Sequence, residues 1–239
     1  MPDAPTRGPT PRAIKSLQPV LEALRRYHRF RVEGLEHIPD HGPAILAVHH
    51  SLATYDAFLF GYELMNQTGR IVTGLGDNKL FAFPGLRRAS RSAGLLPASP
   101  ENGRTLLEEG HLLGVAPGGM REALRPSSER RTVLWEKRRG FVKLAMQVGV
   151  PIIPVACPAA DDLYTVYENR LTKLAYKRLK FPVPIARGVG PTAIPRPVRL
   201  TTWVGPAIPV APSEALDADA VEAVHKRVRD GISELLARR

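Results

Sequence analysis

The sequence of 239 residues has little of what several protein classes need. Its one cysteine, Cys157, excludes an intramolecular disulfide and fits a reducing compartment. That cysteine has no pair of histidines at ligand spacing, so we expect no metal site. Only 6% of the residues are aromatic, and the basic stretches are not interleaved with them as in a nucleic-acid platform. A disulfide scaffold is excluded, and we expect neither a metalloenzyme nor a nucleic-acid partner.

Long apolar runs are missing as well. No window reaches the ~18 consecutive apolar residues of a membrane span. The uncharged stretch 147–160 contains three prolines, which exclude a spanning helix there. Segment 1–11 is polar and rich in proline, without the apolar region of a signal peptide. We therefore expect a cytoplasmic protein whose contact with a membrane is peripheral.

Acidic residues are the scarcer charged type. The chain has 23 Asp and Glu against 34 Lys and Arg, a formal net charge of +11. This excess favours an anionic partner such as nucleic acid, anionic lipid or coenzyme A, although a basic surface also serves solubility alone. Apolar residues at helical spacing over 14–24 predict a basic amphipathic helix, which either packs on its own domain or lies on anionic lipid. A second basic helix is predicted over 163–180.

Apolar runs of strand length alternate with segments of helical periodicity. Strands are predicted at 30–32, 44–48, 71–75, 111–116, 152–157 and 198–204. Helices are predicted at 57–65, 101–109, 140–148 and 215–239, the first burying Phe58, Leu59, Tyr62 and Met65. Such alternation is typical of an α/β fold with a mostly parallel central sheet flanked by helices. We expect one domain over 13–239 after a flexible tail over 1–12.

The first candidate site lies where the strand 44–48 ends. His49 and His50 follow it directly, and Asp56 comes six residues after His50. An imidazole titrates near neutrality, and a carboxylate can fix its tautomer and stabilise its charged form. An acid in the first turn of a helix also satisfies free amides and complements the dipole. The pair alone does not decide between these two roles.

The second candidate site is Pro117-Gly118-Gly119-Met120-Arg121-Glu122, after the strand 111–116. Adjacent glycines allow close backbone approach and expose amides to an anion or a carbonyl oxygen. Arg121 could bind a phosphate or a polarised oxygen. An ordinary Gly-Gly turn with solvated charges explains the same residues. The nucleophile elbow G-x-S-x-G, the phosphate loop and G-x-G-x-x-G are all absent.

The order of the motifs resembles that of the glycerolipid acyltransferase superfamily, which includes the bacterial lysophosphatidate acyltransferases. Within it, the chain is most similar to the branch related to the diacylglycerol acyltransferases. The segments that carry the resemblance are 50–56, 117–122, 135–141 and 150–155. The resemblance spans about residues 28–210 and implies a glycerol-3-phosphate acyltransferase-like fold.

The resemblance implies an acyl-CoA-dependent O-acyltransferase that acts on a glycerolipid or lysophospholipid hydroxyl. His50 would be the general base and Asp56 its catalytic partner, whereas His49 should face the opposite side of the strand. The residues predicted to bind substrate are Gly118, Gly119, Arg121 and Glu122. The glycine amides and Arg121 would bind the acceptor or the developing oxyanion, and Glu122 would position Arg121 or the acceptor.

The expected partners follow from the same resemblance. The donor would be acyl-CoA or an acyl carrier protein, with no other cofactor and no metal. The basic segments 87–91, 121–139 and 170–180 would face anionic lipid or the phosphates of coenzyme A. The alternative is a non-catalytic lipid- or coenzyme A-binding protein on the same fold.

The sequence differs from the superfamily's motifs in three ways that bear on the identity of the acceptor. The spacing from His50 to Asp56 has one residue more than His-x4-Asp, and Gly118 stands where the motif has Glu. No clear counterpart of the second-motif Arg follows Gly94-Leu95-Leu96. These features help hold a glycerol phosphate in the other subgroup. Neutral glycerolipids and other alcohols are therefore open as acceptors.

Overall fold

The computed structural model describes residues 11–52, 55–82, 84–167 and 185–238. Its strands are β1 Arg31–Glu33, β2 Ala44–Val48, β3 Val72–Gly76, β4 Leu95–Pro97, β5 Leu112–Val115, β6 Ile152–Ala156, β7 Thr165–Tyr167, β8 Ile185–Arg187 and β9 Thr201–Val204. Its helices are α1 Pro11–Tyr27, α2 Tyr55–Thr68, α3 Pro84–Ser92, α4 Pro100–Glu108, α5 Gly119–Ala123, α6 Gly140–Val148 and, as α7, Ala218–Leu236. Residues 1–10 of the predicted tail lie outside this part of the chain.

Seven strands form one sheet in the order β1-β9-β6-β2-β5-β3-β4. The run from β6 to β4 is parallel throughout, whereas β9 is antiparallel to β6 and parallel to β1. Strands β7 and β8 form a separate antiparallel ribbon. The sheet is mostly parallel, as the alternation of apolar segments predicts.

Alternation along β2 explains why helices cover both faces of the sheet. Ile45 and Ala47 join a core built with α4, α6 and α7, whereas Ala44 and Leu46 join a core built with α2. All four side chains are fully buried, because successive residues of a strand point to opposite faces. The continuous apolar run 44–48 is therefore the central strand of a doubly covered sheet.

Local signals account for where α4 and α7 begin. The Ser99 hydroxyl accepts a hydrogen bond from the Asn102 amide at 3.1 Å, and Pro100 opens the helix. The Asp217 carboxylate accepts from the Ala220 amide at 2.8 Å at the start of α7. Each cap satisfies an amide that has no partner within its helix.

Two helix predictions are wrong in part. Residues 165–167 of the second predicted basic helix form β7, and residues 168–180 lie outside the described part of the chain. On α2, Phe58 is 45% exposed, because the buried stripe of the helix runs through Leu59, Phe60 and Leu64. The predicted core position of Phe58 lies off that stripe.

Arg70 hydrogen-bonds to main-chain carbonyls near the amino ends of three neighbouring strands. It precedes β3, and its guanidinium donates to the carbonyl oxygen of Pro39. It also donates to the carbonyls of Gly42, before β2, at 2.6 Å and of Gly110, before β5, at 3.3 Å. One cation therefore joins the loops that precede β2, β3 and β5.

We predict that Arg70→Met destabilises the fold without changing the structure at the carboxyl edge of the sheet. The substitution removes charge-assisted hydrogen bonds, so the free energy of unfolding in urea should fall by about 2 kcal/mol. Arg104→Met is the matched control, because Arg104 makes an exposed pair with Glu108 and its loss should change stability by less than about 0.5 kcal/mol. Equal unfolding midpoints for the two variants would contradict this role.

Candidate active site

The candidate site forms where three neighbouring parallel strands end. His49 and His50 follow β2, the Pro117 to Glu122 motif follows β5, and a short 3-10 helix, Pro158–Asp162, follows β6. Since β2 lies between β6 and β5, these three segments meet at the carboxyl edge of the sheet. Open α/β sheets usually bind ligands at this edge.

The tautomer of the His50 imidazole is suited to a general base. Its Nδ1 lies 3.0 Å from the carbonyl oxygen of Ser51. A carbonyl oxygen only accepts, so in the neutral ring Nδ1 carries the hydrogen and Nε2 has the lone pair. Burial lowers the pKa of His50, with the Arg125 charge acting in the same direction and the Ser51 bond against it. The ring is thus neutral near pH 7.

His49 is enclosed, and His50 is not. The His49 side chain is only 2% exposed, and burial lowers its pKa to about 3. Its amide donates to the Val155 carbonyl at 2.9 Å, which extends the pairing of β2 with β6. His50 is partly exposed. The two histidines thus differ in burial, as the alternation of a strand predicts.

Asp56 lies in the first turn of α2 and is 3% exposed. Its carboxylate accepts a hydrogen bond from the Ser51 hydroxyl. Burial raises its pKa from 3.8 to about 6, against the lowering effect of the Ser51 bond. Ser51 therefore connects the two groups, since its carbonyl accepts from His50 and its hydroxyl donates to Asp56. The catalytic roles of His50 and Asp56 stay predictions.

Glu122 is fully buried and holds the main chain of His50. Its Oε2 accepts from the His50 amide at 3.0 Å, and its Oε1 accepts from the Leu134 amide at 3.0 Å. Burial raises the pKa of Glu122, whereas these amide bonds act to lower it. The carboxylate ties the loop after β2 to the loop after β5.

Arg125 is a site residue that the sequence patterns missed. Its Nη1 donates to the carbonyls of His50 and Glu122, each at 2.7 Å, and its Nη2 donates to Asp161. The Arg125–Asp161 side chains are 4% and 6% exposed. The available signal was its position, one helical turn after Arg121 in the basic segment 121–139.

The two glycines of the motif are needed for packing. A Cβ on Gly118 would lie 2.3 Å from the Glu122 Cβ, so only glycine lets Glu122 reach inward. Gly119 has φ +52°, and its amide donates to the Ala116 carbonyl at 3.0 Å. In this conformation the Gly119 amide is occupied by a turn, whereas the sequence predicts that it faces a ligand.

Arg121 points away from Glu122. Its guanidinium, 55% exposed, pairs with Glu136, whereas the sequence predicts that Glu122 positions Arg121 or the acceptor. Glu122 faces inward because its carboxylate binds two amides. The substrate-binding roles predicted for Gly118, Gly119, Arg121 and Glu122 stay predictions.

A cleft opens beside this cluster of charges. Its lining residues are Leu52, Glu122, Ala123, Arg125, Pro126, Ser127, Arg130, Ala160, Asp161, Tyr164 and Val166. The cleft thus joins the loop that carries His50 to the segment that enters β7. Over the described ranges, no cluster of His, Cys, Asp or Glu has the arrangement of a metal site. In the same part of the chain, no helix is long and apolar enough to cross a bilayer.

A family model described as Acyltransferase matches residues 29–158, more than half of the chain. The chain belongs to the acyltransferase family. The matched region includes His50, Asp56 and the whole 117–122 motif, so the predicted family is confirmed.

Two curated relatives align with half or more of the chain. A Bos taurus protein named "DGAT1/2-independent enzyme synthesizing storage lipids" is 30% identical over 224 residues, which cover 89% of this chain and 65% of the relative. The chain thus spans less than two thirds of that relative. "Phytyl ester synthase 1, chloroplastic" from Arabidopsis thaliana is 25% identical over 138 residues, or 55% of this chain and 20% of its own length.

A solved structure shows the same fold. The 1-acyl-sn-glycerophosphate (LPA) acyltransferase PlsC from Thermotoga maritima matches with a TM-score of 0.56 and 18% identity, covering 94% of this chain and 83% of that one. The predicted fold class is therefore confirmed.

We predict that Asp56→Asn stabilises the protein at neutral pH. The folded-state pKa of about 6 lies above the ordinary 3.8, so the folded state binds more protons and wild-type stability falls as the pH rises from about 4 to above 6. The asparagine does not ionise and should gain about 1–3 kcal/mol in the free energy of unfolding above pH 6. The gain should vanish below pH 4.

Urea unfolding across pH measures this difference. Asp230→Asn is the matched control, since Asp230 makes an exposed pair with Lys226 and should show no such pH-dependent gain. A loss of stability in Asp56→Asn that is equal at all pH values would contradict the account.

Proposed function

We propose that this chain is an acyl-CoA-dependent O-acyltransferase that transfers a fatty acyl group to a hydroxyl of a glycerolipid or lysophospholipid. The observation that carries the proposal is the arrangement of His50. Its Nδ1 is satisfied by the Ser51 carbonyl, its Nε2 keeps the lone pair, and its pKa is lowered by burial. Within the acyltransferase family, such an imidazole is suited to accept a proton from an alcohol.

In the proposed reaction, Nε2 of His50 takes the proton of the acceptor hydroxyl as its oxygen attacks the thioester carbonyl. The tetrahedral intermediate then collapses, the carbon–sulfur bond breaks, and the imidazolium returns the proton to the leaving thiolate. The products are an ester and free coenzyme A, and His50 is neutral again. General-base assistance of this kind contributes about 10²–10⁴-fold to a rate.

Asp56 has the role of stabilising the imidazolium. Its carboxylate is connected to His50 through Ser51, whose hydroxyl donates to Asp56. A negative charge in this buried position favours the protonated ring as the acceptor loses its proton. The same burial makes the charged carboxylate costly in the folded state.

The donor phosphates have a candidate contact in α3. This helix follows β3 at the same edge of the sheet and exposes Arg87, Arg88 and Arg91. In the segment 121–139, by contrast, several arginines are engaged within the protein, with Arg125 bound to Asp161 and Arg131 to Asp162. Residues 170–180 lie outside the described part of the chain. An acyl carrier protein would present similar anionic chemistry as an alternative donor.

For the acceptor, the departures from the glycerol-phosphate motifs favour a neutral glycerolipid. The relatives named for storage lipids and for phytyl esters agree with an uncharged lipid alcohol. Lysophosphatidate remains the acceptor suggested by the structurally similar PlsC. Either substrate would be reached at a membrane surface, which makes the proposed enzyme a peripheral one.

A labelling assay tests this proposal. Purified protein is incubated with radiolabelled acyl-CoA and a panel of lysophospholipids, monoacylglycerols and diacylglycerols, and labelled lipid is measured. We predict that His50→Ala lowers the transfer rate by about 10²–10⁴-fold, because the base is lost. His49→Ala is the adjacent control and should keep much of the activity of the folded protein.

The reverse order of these two variants would overturn the assignment of His50. If no lipid is labelled by the wild type while His50→Ala binds lipid normally, the enzyme proposal fails. The non-catalytic lipid- or coenzyme A-binding protein would then replace it.

A further inference from the structure

A groove opens on the surface between the start of α6 and the first turns of α7. Its volume is about 410 Å³, against about 20 Å³ for the cleft beside His50. The residues that line it are Arg139, Lys143, Leu216, Ala218, Val221 and Glu222. The groove and the cleft share no lining residue. The groove thus has the size of a small-molecule site, ~300–1,000 Å³, and is separate from the candidate active site.

Helical spacing explains how the lining residues come together. Arg139 is the N-cap of α6, and Lys143 follows it by four residues, so both lie on one side of that helix. Ala218, Val221 and Glu222 are spaced by three and four residues and share one side of α7. One face of each helix therefore forms a wall of the groove.

Aromatic packing in the core holds the two helices together. The ring centres of Phe141 on α6 and His225 on α7 are 6.1 Å apart. The Trp135 ring lies 5.5 Å from Phe141 and 5.9 Å from His225. His225 is 1% exposed, and burial lowers its pKa, so the ring is neutral near pH 7. The walls of the groove are therefore fixed by contacts of the core.

The loop before α7 keeps an apolar side chain in the lining. Leu216 has φ +47°, in the left-handed region that residues with a branched apolar side chain rarely adopt. Its side chain is partly buried and packs against the core. A conformation of this kind persists only where the surrounding structure requires it, and such positions cluster at binding sites. With Ala218 and Val221, Leu216 makes half of the lining residues apolar.

The charged residues of the groove leave one cation without a partner. Arg139 pairs with Glu222, which joins the start of α6 to α7. Lys143 is exposed, and within the described ranges its ammonium group makes no ion pair. The amino end of α6 adds the positive end of the helix dipole. The lining therefore suits a ligand that has one negative charge and an aliphatic body.

We propose that this groove binds a fatty carboxylate. The carboxylate contacts Lys143 and Arg139, and the alkyl chain lies along the three apolar residues of the lining. Glu222 competes with the ligand for Arg139, so binding exchanges one carboxylate for another at this guanidinium. The site is additional to the proposed acyl transfer, because binding there requires neither acyl-CoA nor His50.

Isothermal titration calorimetry of the full-length protein with octanoate tests the proposal. We expect one octanoate to bind per chain. Octanol has the same chain without the charge, and acetate has the charge without the chain. Each should bind at least about tenfold more weakly than octanoate, because each lacks one of the two parts that the groove recognises.

Three variants locate the bound octanoate. Lys143→Gln removes the unpaired cation and should weaken binding by about fivefold. Ala218→Trp fills the groove and should weaken binding by at least about tenfold. Glu222→Gln removes the carboxylate that competes for Arg139 and should instead strengthen binding by about threefold. A purely structural role of Glu222 would not produce this gain.

The matched controls change exposed positions on other sides of α7. Arg227→Gln removes a cation, Ala223→Trp adds an indole, and Glu234→Gln removes a carboxylate. Each control should leave the affinity for octanoate within about twofold of the wild-type value. Urea unfolding curves should show that all six variants fold.

Several results would overturn the proposal. They are no binding of octanoate by the wild type, equal affinity for octanol and octanoate, or wild-type affinity in both Lys143→Gln and Ala218→Trp. The last result would place octanoate outside the groove.

Failure of the proposed function gives a different pattern. No lipid would then be labelled by the wild type, while octanoate binding would still depend on Lys143 and Ala218. If the groove proposal alone is wrong, acyl transfer would still depend on His50.

Discussion

Two buried charged side chains bind the main chain of His50, one at its amide and one at its carbonyl. Glu122 accepts the amide hydrogen at 3.0 Å, and Arg125 donates to the carbonyl at 2.7 Å. Glu122 lies in α5, which follows β5, and Arg125 comes just after that helix, whereas His50 follows β2. The imidazole takes part in neither contact, so these two bonds fix the main chain of the residue without using its ring.

The buried charges at this point are stable because each has several partners. An isolated buried charge is costly, and a pair in the interior is tolerated only when its remaining hydrogen bonds are made. Glu122 receives two amides, and Arg125 binds two carbonyls and Asp161, which leaves the buried Arg125 Nε as the one guanidinium nitrogen without a partner among the described residues. Gly118 supplies the space that Glu122 needs. The result joins the ends of three strands, β2, β5 and β6, beside the cleft.

Local sequence patterns predicted the strands and helices whose burial follows a regular period along the chain. The apolar runs at 44–48 and 152–157 are buried strands, and 140–148 is a helix, because burial on both faces or on one stripe leaves a clear period. The family and the position of His50 were also predicted. Arg125 could not be, since its partners are main-chain carbonyls and an aspartate far along the chain. The inward turn of Glu122 likewise depends on amides supplied by distant segments.

A double-mutant cycle on the rate of acyl transfer tests most directly whether Arg125 acts by positioning His50. Arg125→Lys keeps the charge but loses the planar fork that reaches two carbonyls and Asp161, so it should slow the wild-type reaction by about tenfold. In a His50→Ala background, where residual transfer is followed over long incubation, the same change should have almost no effect. An equal loss in both backgrounds would contradict the account, because Arg125 would then act independently of His50.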